Sequence, residues 1–403
     1  MAEKRYLFTP GPTPVPPEVL EAMGRPIIHH RSSDFREILG RCLSRLREVY
    51  RTESDVLLYT SSGTGGMESA VSNLTGPGDR VVVVSAGHFG ERWVAMAENF
   101  GCDVETVAYE WGESPAPGDL AARLGELGGA KVVFLTHSET STGVVSDVQG
   151  LAAAAKEAGA LVVVDAVSSL GAVPLETDAW GIDSVVSGSQ KALMTPPGLA
   201  TVSVSPDAWA SVDSGGQGTG RTGEAGTASV GAAESAPMRF YFDWNQTKER
   251  QDQFDPAFTP AVSIVVGLDV ALGLLLEEGL EEAFERHTRL GRACRAGIRA
   301  MGLDLFSPDD DRSAVVTAIV APDGVNSSEL VQTLRDRLGI VLAPGQGPLK
   351  GRIFRIGHIG YYDIFDITTA LAGLELVLAE QGADIERGTA ITAALEAFEQ
   401  TPV

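Results

Sequence analysis

Cysteine is almost missing: the 403 residues contain only Cys42, Cys102 and Cys294, far apart and without a CxxC pair. This excludes a disulfide framework and a cysteine-based zinc cluster, and it points to a reducing compartment. Positive charge is also short. Against 54 Asp and Glu stand 31 Lys and Arg, a formal net charge of −23. Nucleic acid and anionic membrane surfaces both call for a basic face, so neither is expected as a partner. The acidic balance serves solubility; with lysine scarce beside arginine it also fits salt adaptation, and composition does not separate the two. No apolar run approaches a membrane span, and the opening MAEKRYLFTPGPTPVPPEV lacks the apolar segment of a signal peptide. Internal repeats and coiled-coil heptads are missing too. A cytoplasmic protein is expected.

What is present is ordinary globular material, 44% hydrophobic and 21% charged. A chain of this length buries a large core without staples and divides into two or three units. Residues 1–17 are expected as an extended arm, because the prolines from Pro10 to Pro17 exclude a helix. From 18 to 50 the pattern is helical, with Leu39, Leu43, Leu46 and Val49 at helix spacing. Short apolar runs then alternate with helix-like ones. The strand candidates are Val56–Tyr59, Val81–Val84, Val104–Val107, Val132–Leu135, Leu161–Val164, Ser184–Val186 and Ala200–Val204. This alternation predicts an α/β fold, a mainly parallel sheet with helices on both faces. Ser211–Ser235 is rich in Gly, Ser, Thr and Ala and reads as a flexible loop. From about residue 282 a smaller C-terminal α/β domain is expected, leaving 18–281 as the large domain. Asn326-Ser327-Ser328 is formally a glycosylation sequon but reads more simply as a helix N-cap.

In open α/β sheets the ligand site lies beyond the carboxyl ends of the strands. Two strand ends stand out there. Leu161-Val162-Val163-Val164 ends in Asp165, and one crossover later Ser187-Gly188-Ser189-Gln190 delivers Lys191 to the same edge. Alone, Asp165 could simply cap a helix and Lys191 be a solvated surface charge. Together they are the pair that pyridoxal-5′-phosphate chemistry needs. An amine joins the aldehyde and later moves a proton, while an acid holds the pyridine nitrogen protonated. A third element, Thr60-Ser61-Ser62-Gly63-Thr64-Gly65-Gly66, follows a strand and opens a helix, where free N–H groups can meet a phosphate. It is neither a Walker A loop nor a dinucleotide fingerprint.

These segments, with Thr9-Pro10-Gly11-Pro12-Thr13, His137–Gly143, Pro196-Pro197-Gly198 and Phe354-Arg355-Ile356-Gly357, run in one order along nearly the whole chain. In that order they resemble the class V aminotransferases of pyridoxal-phosphate fold type I, nearest the alanine–glyoxylate and serine–glyoxylate (serine–pyruvate) group. The resemblance implies that Lys191 carries the cofactor and that Asp165 pairs with its ring nitrogen. Ser62, Gly63, Thr64 and Gln190 would hold the phosphate, Phe89 and Val167 would flank the ring, and Thr140 would reach the phenolic oxygen. Thr259 would complete the phosphate site of a neighbouring subunit in a homodimer. Arg355 would take the substrate α-carboxylate, a bidentate pairing that suits a guanidinium, with Gly11 and Pro12 at the substrate mouth. The expected substrates are a small amino acid, serine or alanine, and a 2-oxo acid, glyoxylate or pyruvate. The rivals are other class V reactions (cysteine desulfuration, kynurenine hydrolysis, epimerisation) and a non-catalytic subunit of the same fold.

Overall fold

The computed structural model describes residues 4–215, 239–307 and 313–400. The first strand, β1 (Tyr6–Leu7), is followed by α1 (Pro17–Met23) and α2 (Ser33–Tyr50). The single helical stretch expected over 18–50 is therefore two helices. Gly24 closes the first, Pro26 prevents its continuation, and Ser32 starts the second by accepting a hydrogen bond from the Phe35 N–H. Leu39, Leu43, Leu46 and Val49 lie on one buried face of α2, which packs against α9 (Val262–Glu278).

Alternation then builds the large sheet. Its strands are β2 (Asp55–Tyr59), β3 (Arg80–Ser85), β4 (Asp103–Ala108), β5 (Val132–Thr136), β8 (Leu161–Asp165), β9 (Ser184–Gly188) and β10 (Ala200–Val204). They lie in the order β2-β10-β9-β8-β5-β3-β4, and only β10 runs against its neighbours. A short hairpin, β6 (Ser138–Glu139) with β7 (Val144–Val145), sits at the carboxyl edge. Val81–Val84 and Val162–Val164 are buried because helices cover both faces. Among those helices are α3 (Gly63–Leu74) and α4 (His88–Asn99), which follow β2 and β3, then α5 (Pro117–Leu127) and α6 (Val148–Glu157). Ser211–Gly215 belongs to a helix, α7 (Pro206–Gly215), not to a loop; the Ser205 hydroxyl accepts from the Ala208 N–H at its start, and Ala208 and Val212 bury against the sheet. Residues 216–235 of the expected loop lie outside the described residues.

Past α8 (Trp244–Gln251) and α9, Gly279 at φ +93° turns the chain into α10 (Leu280–Ala300). This helix bridges two cores: Ala283 packs with the large sheet, whereas Leu290, Cys294 and Ile298 pack in a second cluster. That cluster is built on β11 (Val316–Val320), β12 (Ile340–Val341), β13 (Ala343–Pro344) and β14 (Ile353–Gly357). The helices α11 (Ser327–Leu338), α12 (Ile364–Glu380) and α13 (Thr389–Gln400) cover it. Asn326 does cap α11, accepting from the N–H groups of Ser328 and Glu329. The N-terminal segment belongs with this second core. Tyr6 and Leu7 pair with Ile340 and Val341, Phe8 is buried there, and the Tyr362 hydroxyl donates to the carbonyls of Leu7 and Thr9.

Candidate active site

Because β2, β9, β8, β5 and β3 are mutually parallel, their carboxyl ends gather at one edge. A cavity of about 280 Å³ opens there. Asp165 enters it from the last position of β8, and Lys191 from the tight turn after β9. That turn is held by the Lys191 carbonyl, which accepts from the Met194 N–H and the Thr13 hydroxyl. The Lys191 amine donates to the Pro10 carbonyl at 2.8 Å, so the segment anchored in the second core reaches across to the amine. A Cβ at Gly11 would stand 2.4 Å from the lysine Cε, and its φ of +145° is one that other residues rarely adopt.

Burial sets the electrostatics. Removal from water lowers the Lys191 pKa to about 8, with Arg355 and Arg92 helping and Asp165 opposing. The same desolvation raises Asp165 to about 6, against the Val167 N–H at 2.8 Å and the charges of Lys191 and Arg92. At neutral pH the pair is therefore a mostly ionised acid beside an ammonium that gives up its proton easily.

The start of α3 forms the opposite wall. Ser62 is the N-cap, its side chain caps nothing, and no acidic residue occupies the first turn. The leading N–H groups of any helix lack partners inside it. Gly63 lies so close to Val167 that a Cβ would come within 2.6 Å of its methyl carbon. Ser62, Gly63, Thr64, Phe89, Val167, Gln190, Gly11 and Pro12 all border the cavity with Lys191 and Asp165. Arg355, Thr140 and Thr259 do not. Arg355 is buried on β14, where Nη1 donates to the Thr140 carbonyl at 2.6 Å and Nη2 to the Pro344 carbonyl at 2.8 Å. Burial lowers its pKa to about 10, and it makes no ion pair among the described residues. Thr140 thus holds Arg355 through its backbone carbonyl. Thr259, just before α9, lies outside its own chain's cavity.

Three residues with a part in this geometry were not singled out from the sequence. Glu139 is buried and accepts from the N–H groups of Phe89 and Gly90 and from the Ser141 hydroxyl. It thereby fastens the start of α4, with Phe89 on it. Arg92, one helical turn after Phe89, lines the cavity and donates to the Thr64 hydroxyl at 2.9 Å; that one-turn spacing was the available signal. Ser138 also lines the cavity, and its buried hydroxyl has no partner.

With this arrangement in view, the comparisons with known proteins are decisive. The family model described as aminotransferase class-V matches residues 5–350. The chain belongs to the class V aminotransferases. It is 40% identical to a protein of Synechococcus named soluble hydrogenase, small subunit, over 95% of each chain. It is 34% identical to the serine–glyoxylate aminotransferase of Methylorubrum extorquens, over 99% of this chain and 97% of that one. Among solved structures, the ureidoglycine–glyoxylate aminotransferase of Bacillus subtilis superposes with a TM-score of 0.90 at 31% identity, over 99% of both chains. The fold is that of the type I pyridoxal-phosphate aminotransferases, and the family's cofactor is pyridoxal-5′-phosphate.

The cavity fits that cofactor. It joins an amine and a carboxylate across one space, bordered by a helix start free of acid and by the buried, unpartnered hydroxyl of Ser138. A desulfurase would need a reactive thiolate there, and no cysteine lines the cavity. Cys294 is buried in α10 with its pKa raised by burial to about 11, Cys42 is pushed higher still, and burial also raises Cys102.

Proposed function

We propose that this protein moves the amino group of a small amino acid, serine or alanine, to a 2-oxo acid, glyoxylate or pyruvate, in two half-reactions of a ping-pong cycle. The observation that carries this reading is the shared cavity of Lys191 and Asp165, with the buried Arg355 guanidinium, which has no ion pair among the described residues, close enough to depress the lysine. Glyoxylate is named for both transaminase relatives described above, which supports it as acceptor.

Pyridoxal phosphate, when bound, supplies an aldehyde for the amino group and a ring that takes up the electron pair of the breaking Cα–H bond. The residues that would hold it are Ser62, Gly63, Thr64 and Gln190 at the phosphate, Asp165 at the ring nitrogen, Thr140 at the phenolic oxygen, and Phe89 and Val167 against the ring. Arg355 orients the substrate through its α-carboxylate, its fork already fixed by two backbone carbonyls. Lys191 removes the Cα proton, a task suited to an amine whose pKa of about 8 lies near working pH. Gly11 and Pro12 line the approach and exclude water beside the amine.

Thr259 fits a role in the cavity of a second copy, making the working unit a homodimer. An aromatic patch beside it supports this: Phe240 is exposed with its ring 5.7 Å from that of Phe258, which in turn stacks on Tyr241 at 5.0 Å. Among the described residues no helix is long and apolar enough to cross a membrane, and the three cysteines are unpaired, which supports the cytoplasm. A second reading, a subunit kept for assembly, is prompted by the name of the Synechococcus relative. The complete set of amine, carboxylate and guanidinium weighs against it.

A panel of amino donors against glyoxylate and pyruvate tests the proposal. Transfer from serine or alanine, absent in Lys191→Ala, is expected. A folded, cofactor-loaded protein that transfers from no donor overturns it in favour of the assembly role.

A further inference from the structure

The phosphate of the cofactor carries close to two negative charges at neutral pH. At the α3 end of the cavity, Ser62, Gly63, Thr64 and Gln190 are all neutral, and a helix start offers only about half a positive charge. Two cations line the cavity, Lys191 and Arg92. Lys191 is engaged at the aldehyde end. Arg92 is left.

Its geometry suits that use. Arg92 Nη1 donates to Thr64 Oγ1 at 2.9 Å, so the threonine's own proton must point away from the guanidinium and is free to be given to another acceptor. The guanidinium carbon sits over the Phe89 ring, 4.7 Å from its centroid, a contact that restrains the group beside α4. Nη2 faces His88 Nε2 at 3.3 Å, a ring whose pKa is lowered by burial and by Arg92 itself. No carboxylate lies within ion-pair distance of Arg92 among the described residues. An arginine that faces a cavity without an acidic partner is waiting for an anion.

We propose that Arg92 is the cationic partner of the cofactor phosphate, acting through the Thr64 hydroxyl and by its charge. It is a positioning residue, and the inference rests on the reading of Ser62–Thr64 as the phosphate cradle. Loss of one charge-assisted contact predicts an affinity about 10- to 100-fold weaker.

The test compares pyridoxal phosphate with pyridoxal, which lacks the phosphate, by absorbance titration of the apo protein. Wild type should bind the phosphorylated form far more tightly. Arg92→Gln should lose about 10- to 100-fold for pyridoxal phosphate and little for pyridoxal, and Arg92→Lys should recover most of the loss. Thr64→Val should weaken binding alone yet add less than its full effect to Arg92→Gln, because the two share one path. Equal losses for both ligands would mean that Arg92 merely supports Phe89, and would overturn the inference. Unchanged cofactor affinity with a raised KM only for dicarboxylate donors would overturn it too, assigning Arg92 to substrate. If wild type itself does not favour the phosphorylated form, the cradle reading fails first. Should Arg92→Gln not fold, the Arg92→Lys and Thr64→Val titrations decide alone; retention of full affinity in Thr64→Val would then overturn it.

Discussion

Helices α3 and α4 both follow a strand of the large sheet and start at the same carboxyl edge, but their first turns are finished differently. At α4 the Glu139 carboxylate takes the N–H groups of Phe89 and Gly90, and the Ser141 hydroxyl takes that of His88. At α3 no side chain caps the start and no acid lies in the first turn. The α4 start is sealed by the protein's own anion, whereas the α3 start is left for someone else's. The difference separates support from site: the sealed helix has the Phe89 backbone fastened by Glu139, and the open one borders the cavity.

The sharpest way to break the contrast is to seal α3. Ser62→Asp puts a carboxylate at the N-cap, where apo stability should hold or rise by up to about 1 kcal/mol. Cofactor affinity should fall at least about 100-fold, because the new charge faces the phosphate. Calorimetry of the apo protein beside a pyridoxal phosphate titration checks both halves. Unsealing α4 comes next. Glu139→Ala leaves buried donors without an acceptor and should cost about 3 kcal/mol in chemical denaturation, with Glu139→Gln costing less. Cofactor binding should weaken only as Phe89 loosens.

A third effect is graded by pH. Lys191 is depressed to about 8, so its neutral amine is populated at a lower pH than an ordinary lysine's. Uptake of the cofactor aldehyde by the apo protein should rise as pH is raised and level off above about 8, which stopped-flow absorbance measures. A plateau reached only above about 10 would mean that the amine is solvated. The smallest effect is local. Gly63→Ala places a Cβ 2.6 Å from Val167, and the shift of α3 should cost about 1–2 kcal/mol while weakening cofactor binding more than Gly118→Ala, where nothing lies within 4 Å.

The valine runs of the large sheet were legible because burial on both faces leaves continuous apolar stretches bounded by glycine and polar turns. Lys191 and Asp165 were legible as a pair because each closes such a run. The break at Gly24–Pro26 was lost inside a longer helical reading, since the strong spacing of Leu39 to Val49 belongs only to the second helix. The pairing of Tyr6–Leu7 with Ile340–Val341 joins residues more than 330 positions apart and leaves no local trace. Glu139 and Arg92 escaped for one physical reason. A charged residue in a local pattern reads as a solvated face, and only the tertiary fold turns these two inward.

The most direct measurement of the central claim is reduction of the cofactor-loaded protein with borohydride, followed by peptide mapping. The account predicts a phosphopyridoxyl group on Lys191 alone, absent from Lys191→Ala and far weaker in Asp165→Ala. Label on a different lysine, or undiminished labelling of the Lys191→Ala protein, would contradict it.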